Sequence, residues 1–291
     1  MRRQSTTAAV CFSMTDAMKI AVLGAGYLGS ALAREAHARG HAVWAVRRST
    51  IAAEGDGVHW LRGDLATGRV DGLPATLDAV ILTVAPSRGD VGYAGTYAPA
   101  AAGAVALACA TGARAVLYTS STGVYGGRDG AWVTESSPRQ GAGEGNEALR
   151  AAEDIVLACS TARPMVLRVA GIYGPGRDPR ARMQHAEALS QRGEYWVNLA
   201  HRDDIVAALL HTLALAQVPS VLNCSDGSPT LAADVARWLT AQQGGDPTML
   251  TFGNNAERSR NDQRVSNAAL AATGWTPRFP SYRDGFQRGL D

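Results

Sequence analysis

The sequence predicts an α/β fold, a doubly wound parallel sheet with a small C-terminal lobe, and three observations carry the prediction. First, KIAVLGAGYLGSAL (Lys19 to Leu32) places a buried apolar strand, a glycine-rich turn and an alanine-rich helix in direct succession. Second, apolar runs such as LDAVILTVAP (Leu77 to Pro86) read as strands buried on both faces, the pattern of a parallel sheet. Third, strands and helices alternate along the whole chain with right-handed crossover lengths and no internal repeat.

Taken in order, Ile20 to Gly24 is the first strand, and Gly24, Gly26 and Gly29 fit G-x-G-x-x-G before a helix from Ser30 to Ala38. In that context each glycine has a task. Gly24 permits the tight turn, Gly26 lets a pyrophosphate approach the backbone, and Gly29 lets the helix pack against the strand. The amides of Tyr27 and Leu28 and the helix dipole then face the phosphates, which makes this Rossmann-like stretch a dinucleotide site.

Ala42 to Val46 is the second strand. It runs out at Arg47 and Arg48, with no carboxylate before Glu54. An acidic residue there would accept the ribose hydroxyls of NAD, whereas paired guanidiniums suit a 2′-phosphate. NADP is the expected cofactor, with NAD the alternative, and two solvated loop arginines are the structural reading. Gly57 to Leu65 is the third strand, ending at Asp64, which either meets the adenine edge or caps a turn. Leu77 to Pro86 is the fourth, and its end, Ala85 to Arg88, is expected to pass beneath the ribose and nicotinamide side of the cofactor.

A small-residue helix (Tyr97 to Ala110) precedes the fifth strand, ARAVLYTSSTGVYGG (Ala113 to Gly127), whose end carries a Ser/Thr cluster. A polar loop (126–145), a helix from Asn146 to Cys159 and a sixth strand from Arg163 follow. Shorter helices and strands complete the chain. The substrate lobe is assigned to 172–200 and 224–291, and residues 1–17 to a disordered leader with an upstream start before Met14 or Met18.

Composition bounds the function. A net charge of +2 gives no case for nucleic acid or an anionic membrane. No run reads as ~20 apolar residues suited to a membrane span. The four cysteines are far apart, so a metal site or disulfide framework is not expected, and a reducing cytoplasm is the expected compartment. Of 28 basic residues only Lys19 is lysine.

Five ordered motifs resemble the short-chain dehydrogenase/reductase superfamily, in its extended, epimerase/dehydratase-like branch. They are the glycine loop, Ser120-Ser121-Thr122-Gly123-Val124-Tyr125-Gly126, the run from Arg168 through Tyr173 to Arg177, His201-Arg202-Asp203-Asp204, and the closing RVSNAALAATGWTPRFPSYRDGF. The resemblance spans Lys19 to the C-terminus and implies the Rossmann-type fold, a nicotinamide cofactor, a small-molecule substrate and a homodimer.

It also implies a Y-x-x-x-K pair on the helix after the fifth strand, and this chain departs from it. Counting back from Glu153 places Gly145 at the tyrosine position and Leu149 at the lysine position. A one-residue slip places Asn146 and Arg150 there. The implied replacements are Ser121 or Thr122 on the substrate oxygen, with Tyr125, Tyr173 or water managing the proton. Each has a structural alternative: strand-end hydroxyls satisfy backbone groups, and both tyrosines pack loops. Arg150 either holds the cofactor ribose or pairs with Glu147 on the helix surface. His201, with Asp203 or Asp204 as cap, is read as organising a helix start, and Arg177, Arg180 and Arg182 as a substrate-lid cluster or a solvated loop. The expected activity is oxidoreduction or epimerase/dehydratase-like chemistry on a small polar, sugar-derived carbonyl or alcohol. The alternatives are a non-catalytic NADP sensor or scaffold and a lyase or isomerase.

Overall fold

In the computed structural model, residues 17–48, 55–65, 70–86, 92–178, 195–250, 252 and 262–288 are described. The first half is the sequence β1 (Lys19–Leu23), α1 (Tyr27–Ala38), β2 (Ala42–Arg47), β3 (His59–Arg62), β4 (Ala79–Leu82), α2 (Gly92–Thr111) and β5 (Ala115–Ser121). After a 3₁₀ turn over Thr122–Val124 come β6 (Ala131–Val133), α3 (Glu144–Leu157), β7 (Arg163–Val169) and β8 (Gly171–Tyr173). The remainder holds β9 (Trp196–Val197), β10 (Leu199–His201), α4 (Arg202–Ala214), β11 (Val221–Cys224), β12 (Thr230–Leu231), α5 (Ala232–Gln242), β13 (Gln263–Val265), α6 (Ala268–Ala271) and α7 (Tyr282–Arg288).

Seven strands form one sheet in the order β11-β7-β5-β4-β1-β2-β3, every pair parallel. The order reverses between β1 and β4, the crevice where doubly wound folds bind ligands at the strands' carboxyl ends. Central strands are apolar on both faces because helices cover both. In β4, Ala79, Val80, Ile81 and Leu82 are completely buried, and each of the larger three contributes roughly 1.5–3 kcal/mol by leaving water. One face, with Ile20, Val22 and Ile81, packs on Leu32 of α1 and Ile205 and Leu209 of α4. The other, with Leu23, Leu82 and Tyr118, packs on Ala101 and Ala104 of α2 and Ala152 and Val156 of α3. A third cluster, Tyr173, Val235, Leu239, Tyr282 and Phe286, joins β8 to the C-terminal helices.

Three boundaries differ from the sequence reading for physical reasons. α1 begins at Tyr27 rather than Ser30, because the glycine loop itself winds the first turn and Ser30 N–H bonds to Gly26 C=O at 2.9 Å. α3 begins at Glu144, with Glu144 and Glu147 complementing the dipole of its first turn. α2 starts at Gly92 and runs 20 residues, so by length and composition alone it matches a membrane span, which corrects the reading that no segment does. Its face of Ala100, Ala101, Ala104, Ala108 and Thr111 is buried against the sheet. The 1–16 leader segment, Arg88, Arg180 and Arg182 lie outside the described residues.

Candidate functional site

The three loop glycines divide their roles as steric geometry demands. Gly24 has φ +91°, and a Cβ there would lie 2.8 Å from the Val84 amide nitrogen at the end of β4. A Cβ on Gly29 would lie 2.5 Å from both Gly24 O and Thr83 Oγ1. Thr83 Oγ1 donates to Gly24 O at 2.9 Å, tying β4 to the loop across the switch point. Gly26 is the opposite case. It is exposed, and the nearest atom to a Cβ built on it is Gly24 O, 4.0 Å away. This glycine leaves room for something outside the protein, above a helix N-terminus with no side-chain cap and no first-turn acid. The first-turn amides, those of Tyr27 and Leu28 among them, have no acceptor within the helix. The arrangement fits a pyrophosphate.

A positive collar completes this end. The guanidiniums of Arg177 and Arg202 stand 5.7 Å and 5.4 Å from the Tyr27 ring centre. The Tyr27 hydroxyl is buried without a partner, and burial raises its pKa against the opposing pull of Arg202 and Arg177. The sequence reading passed over Arg202 and Thr83: the one stands at the unspecified position of H-x-D-D, the other in a run that reads only as strand. At the adenosine end, Arg47 closes β2 with its guanidinium 5.2 Å from the Trp60 ring centre. Arg48 follows, exposed, and Asp64 lies exposed just beyond β3, the strand paired with β2. Ala85 is exposed two residues past Thr83.

At the nicotinamide end, Ser121 is half-buried, and its Oγ accepts from Gly123 N–H at 3.1 Å while its own proton stays available. Thr122 is buried, and its carbonyl accepts from Gln263 Nε2 at 2.8 Å. Ser120, quoted in the motif but not assigned a role, has a buried Oγ without a partner. Asn146 faces this strand end: a Cβ on Gly123 would lie 2.8 Å from Asn146 Oδ1 and 3.4 Å from Ser121 Oγ.

The two tyrosines named as proton donors are turned inward. The Tyr125 hydroxyl donates to Asn223 Oδ1 at 2.5 Å and accepts from Arg168 Nη1 at 2.9 Å, so it is committed to a buried network. Arg168 forms a bidentate pair with Glu153 (3.0 and 2.7 Å), and Arg139 Nη1 bonds the same carboxylate at 3.1 Å. Burial lowers the Arg168 pKa, and the Glu153 carboxylate more than offsets it. Tyr173 is buried edge-on against Phe286 and His201, and burial beside Asp226 raises its pKa well above the ordinary phenol. Both are buried in this structure, the arrangement of the structural alternative given for each.

Arg150 donates to the Gly141 carbonyl and so holds the 139–141 loop onto α3, rather than reaching for a ribose or pairing with Glu147. Leu149 is buried in the core between α3 and the sheet. Lys19 sits at the opposite end of β1, its amide on Asp78 and its Nζ 3.4 Å from Thr76 Oγ1. His201 itself caps α4, Nδ1 accepting from Asp203 N–H at 3.2 Å, so the cap is not an aspartate. Asp204 accepts instead from the Arg278 and Phe279 amides and anchors the closing segment. Among the described residues no His, Cys, Asp and Glu cluster could hold a metal ion.

The profile of the NAD dependent epimerase/dehydratase family matches residues 20–225. Protein YeeZ of Escherichia coli strain K12 is 31% identical over 222 residues, 72% of this chain and 79% of its own. A solved structure from Methylobacillus flagellatus is 27% identical with a TM-score of 0.76, covering 94% of this chain and 97% of its own. MoeE5, solved with UDP-glucose and NAD, is 24% identical with a TM-score of 0.74 over 93% and 97%, a likeness of fold.

Proposed function

The chain belongs to the NAD-dependent epimerase/dehydratase family, and from that premise we propose that it is an NADP(H)-dependent oxidoreductase or epimerase/dehydratase-like enzyme acting on a small polar, sugar-derived carbonyl or alcohol. The observation that carries the reading is Gly26: an exposed, unfilled position above an uncapped helix N-terminus, braced by two glycines that admit no side chain. Gly26, Tyr27, Leu28 and the Arg177/Arg202 collar would hold the pyrophosphate. Arg47 and Arg48 would take a 2′-phosphate, since fork-shaped donors match its oxygens. A bound nicotinamide dinucleotide supplies hydride transfer.

The chain's own residues do the rest. Ser121 Oγ donates a hydrogen bond to the substrate oxygen, and Asn146 lies against the same strand end. We assign the protein to the cytoplasm as a homodimer, joined through α2 and α3. Ala102, Ala106 and Cys109 on the outer face of α2 are exposed in the single chain, which supports this pairing. The test is titration with NADPH and NADH, followed by a screen of keto-sugar nucleotides and small aldehydes for loss of reduced cofactor. NADPH is expected to bind at least ~10-fold tighter, about 1.4 kcal/mol, and Arg47→Ala to abolish the preference. Equal or tighter NADH binding refutes the 2′-phosphate assignment.

Leu149 favours a second reading. An apolar core residue where active relatives keep lysine suits a protein that uses the dinucleotide without net redox turnover, as a sensor, lyase or isomerase. Tight dinucleotide binding with no turnover across the whole panel is its expected signature.

A further inference from the structure

We propose that Tyr93 is the proton donor of this site, a phenol delivered from α2 in place of the one missing from α3. The inference rests on the dinucleotide-enzyme reading above. Its starting point is Gly145, where counting from Glu153 places the absent tyrosine. A Cβ built on Gly145 would lie 3.4 Å from Tyr93 Cε1 and 3.5 Å from both Cδ1 and Cζ. The Tyr93 ring therefore rests on the α3 backbone at the point from which a tyrosine side chain would spring. Glycine at 145 makes this possible. Alanine would touch the ring at ordinary contact distance, and anything with γ atoms would displace it.

Tyr93 also has the properties the inward-turned tyrosines lack. It is 46% exposed, and among the described residues its hydroxyl has no hydrogen-bond partner. Its ring is braced by Tyr97, centroids 6.2 Å apart and planes 19° apart, which limits its wandering. Tyr97 is the more buried of the two, and burial followed by the proximity of Tyr93 pushes its pKa up to about 12. The neighbouring carboxylate is Glu144, whose Oε1 lies 3.5 Å from where a Cβ on Gly92 would stand. Asn146, the next residue of that turn, borders Gly123 together with Ser121: a Cβ on Gly123 would lie 2.8 Å from Asn146 Oδ1 and 3.4 Å from Ser121 Oγ. Consecutive residues of the first turn of α3, Gly145 and Asn146, thus bring the Tyr93 ring of α2 and the Ser121 end of β5 to the same turn.

In the carbonyl-reducing direction the step balances simply. As hydride reaches the carbonyl carbon, the C=O π pair moves to oxygen, Ser121 hydrogen-bonds that oxygen, and the Tyr93 O–H bond breaks as a new O–H bond forms on the substrate. The phenolate recovers its proton from water. The hydride comes from the reduced nicotinamide dinucleotide.

The test is nitration by tetranitromethane with and without saturating NADPH, read at residue 93 by peptide mass spectrometry, with NADPH binding followed by fluorescence on the same samples. Tyr93 is expected to nitrate in the free protein and to be protected by NADPH. Unchanged nitration with NADPH bound places the phenol outside the cleft and overturns the proposal while leaving the dinucleotide reading intact. Failure of NADPH and NADH alike to bind overturns both. Tyr93→Phe provides the second arm. NADPH should bind it within about twofold of the parent, while kcat on the carbonyl that turns over in the screen falls roughly 10²- to 10⁴-fold at little-changed KM. A kcat within about threefold of the parent refutes the assignment.

Discussion

Gly26→Ala and Gly29→Ala differ by one methyl each, three residues apart, and the structure predicts opposite phenotypes. At Gly29 the new Cβ would meet Gly24 O and Thr83 Oγ1 at 2.5 Å. Both are held by the Thr83–Gly24 hydrogen bond, so α1 must move off β1. Forcing a methyl into such a contact costs about 1–3 kcal/mol, which for a domain of this size is several degrees of melting temperature. At Gly26 the nearest atom is 4.0 Å away and φ is −86°, so alanine fits and stability should change by less than about 0.5 kcal/mol. The methyl then stands where a pyrophosphate must approach. Losing one amide bond to a charged phosphate costs about 1.5–3 kcal/mol, or roughly 10- to 150-fold in affinity. The assay is thermal unfolding of both variants without ligand, then NADPH titration of Gly26→Ala. A Gly26→Ala protein that binds NADPH like the parent refutes the cradle. One that melts early refutes the claim that the space is open.

Two further perturbations probe buried charge. Glu153→Gln leaves Arg168 and Arg139 without their shared carboxylate. Stability to urea should fall by about 3–5 kcal/mol, and a Glu153→Met/Arg168→Met double variant should be less damaged than either single change. Asp226 is buried with Oδ2 unpartnered, and burial pushes its pKa to about 7, against 3.8 ordinarily. The folded state holds this proton while the unfolded state releases it, so this group's contribution is fully present below about pH 4 and declines up to about pH 7. The loss is at most about 4 kcal/mol at 1.36 kcal/mol per unit. Asp226→Asn keeps an oxygen for the Ser228 amide. It should unfold later than the parent at pH 8 and show little difference at pH 4, and an unchanged gap between the two pH values would refute the assignment.

The fold was legible because its signals are local. The G-x-G-x-x-G loop lies within one strand–helix unit, and the apolar runs announce strands covered on both faces. The tyrosines were not legible because their fates are decided by distant partners. Tyr125 bonds Asn223 and Arg168, which are 98 and 43 residues away, and Tyr173 turns under Phe286. A strand-end motif states which side chain is present, not which way a tertiary network will draw it. The acceptor of Arg150, the Gly141 carbonyl, is likewise set only by the folded loop. A helix starting at Tyr97, as the sequence suggests, leaves Tyr93 in the preceding loop, whereas α2 begins at Gly92.

The missing dyad therefore has a structural consequence as well as a chemical one. With Leu149 in place of a lysine, that point of α3 adds to the core instead of holding a buried cation. With Gly145 in place of a tyrosine, the first turn of α3 is slim enough for the N-terminal turn of α2 to lie against it. A side chain lost from one helix thus opens a berth for a side chain from the next, while β5 still presents Ser121 at its carboxyl end. The scaffold that positions the cofactor, the switch point between β1 and β4, touches neither change. On the proposed reading, cofactor binding and proton transfer are consequently separable in this fold. Substitution of Gly26 should weaken the first, and substitutions at the α2–α3 contact should act on the second alone.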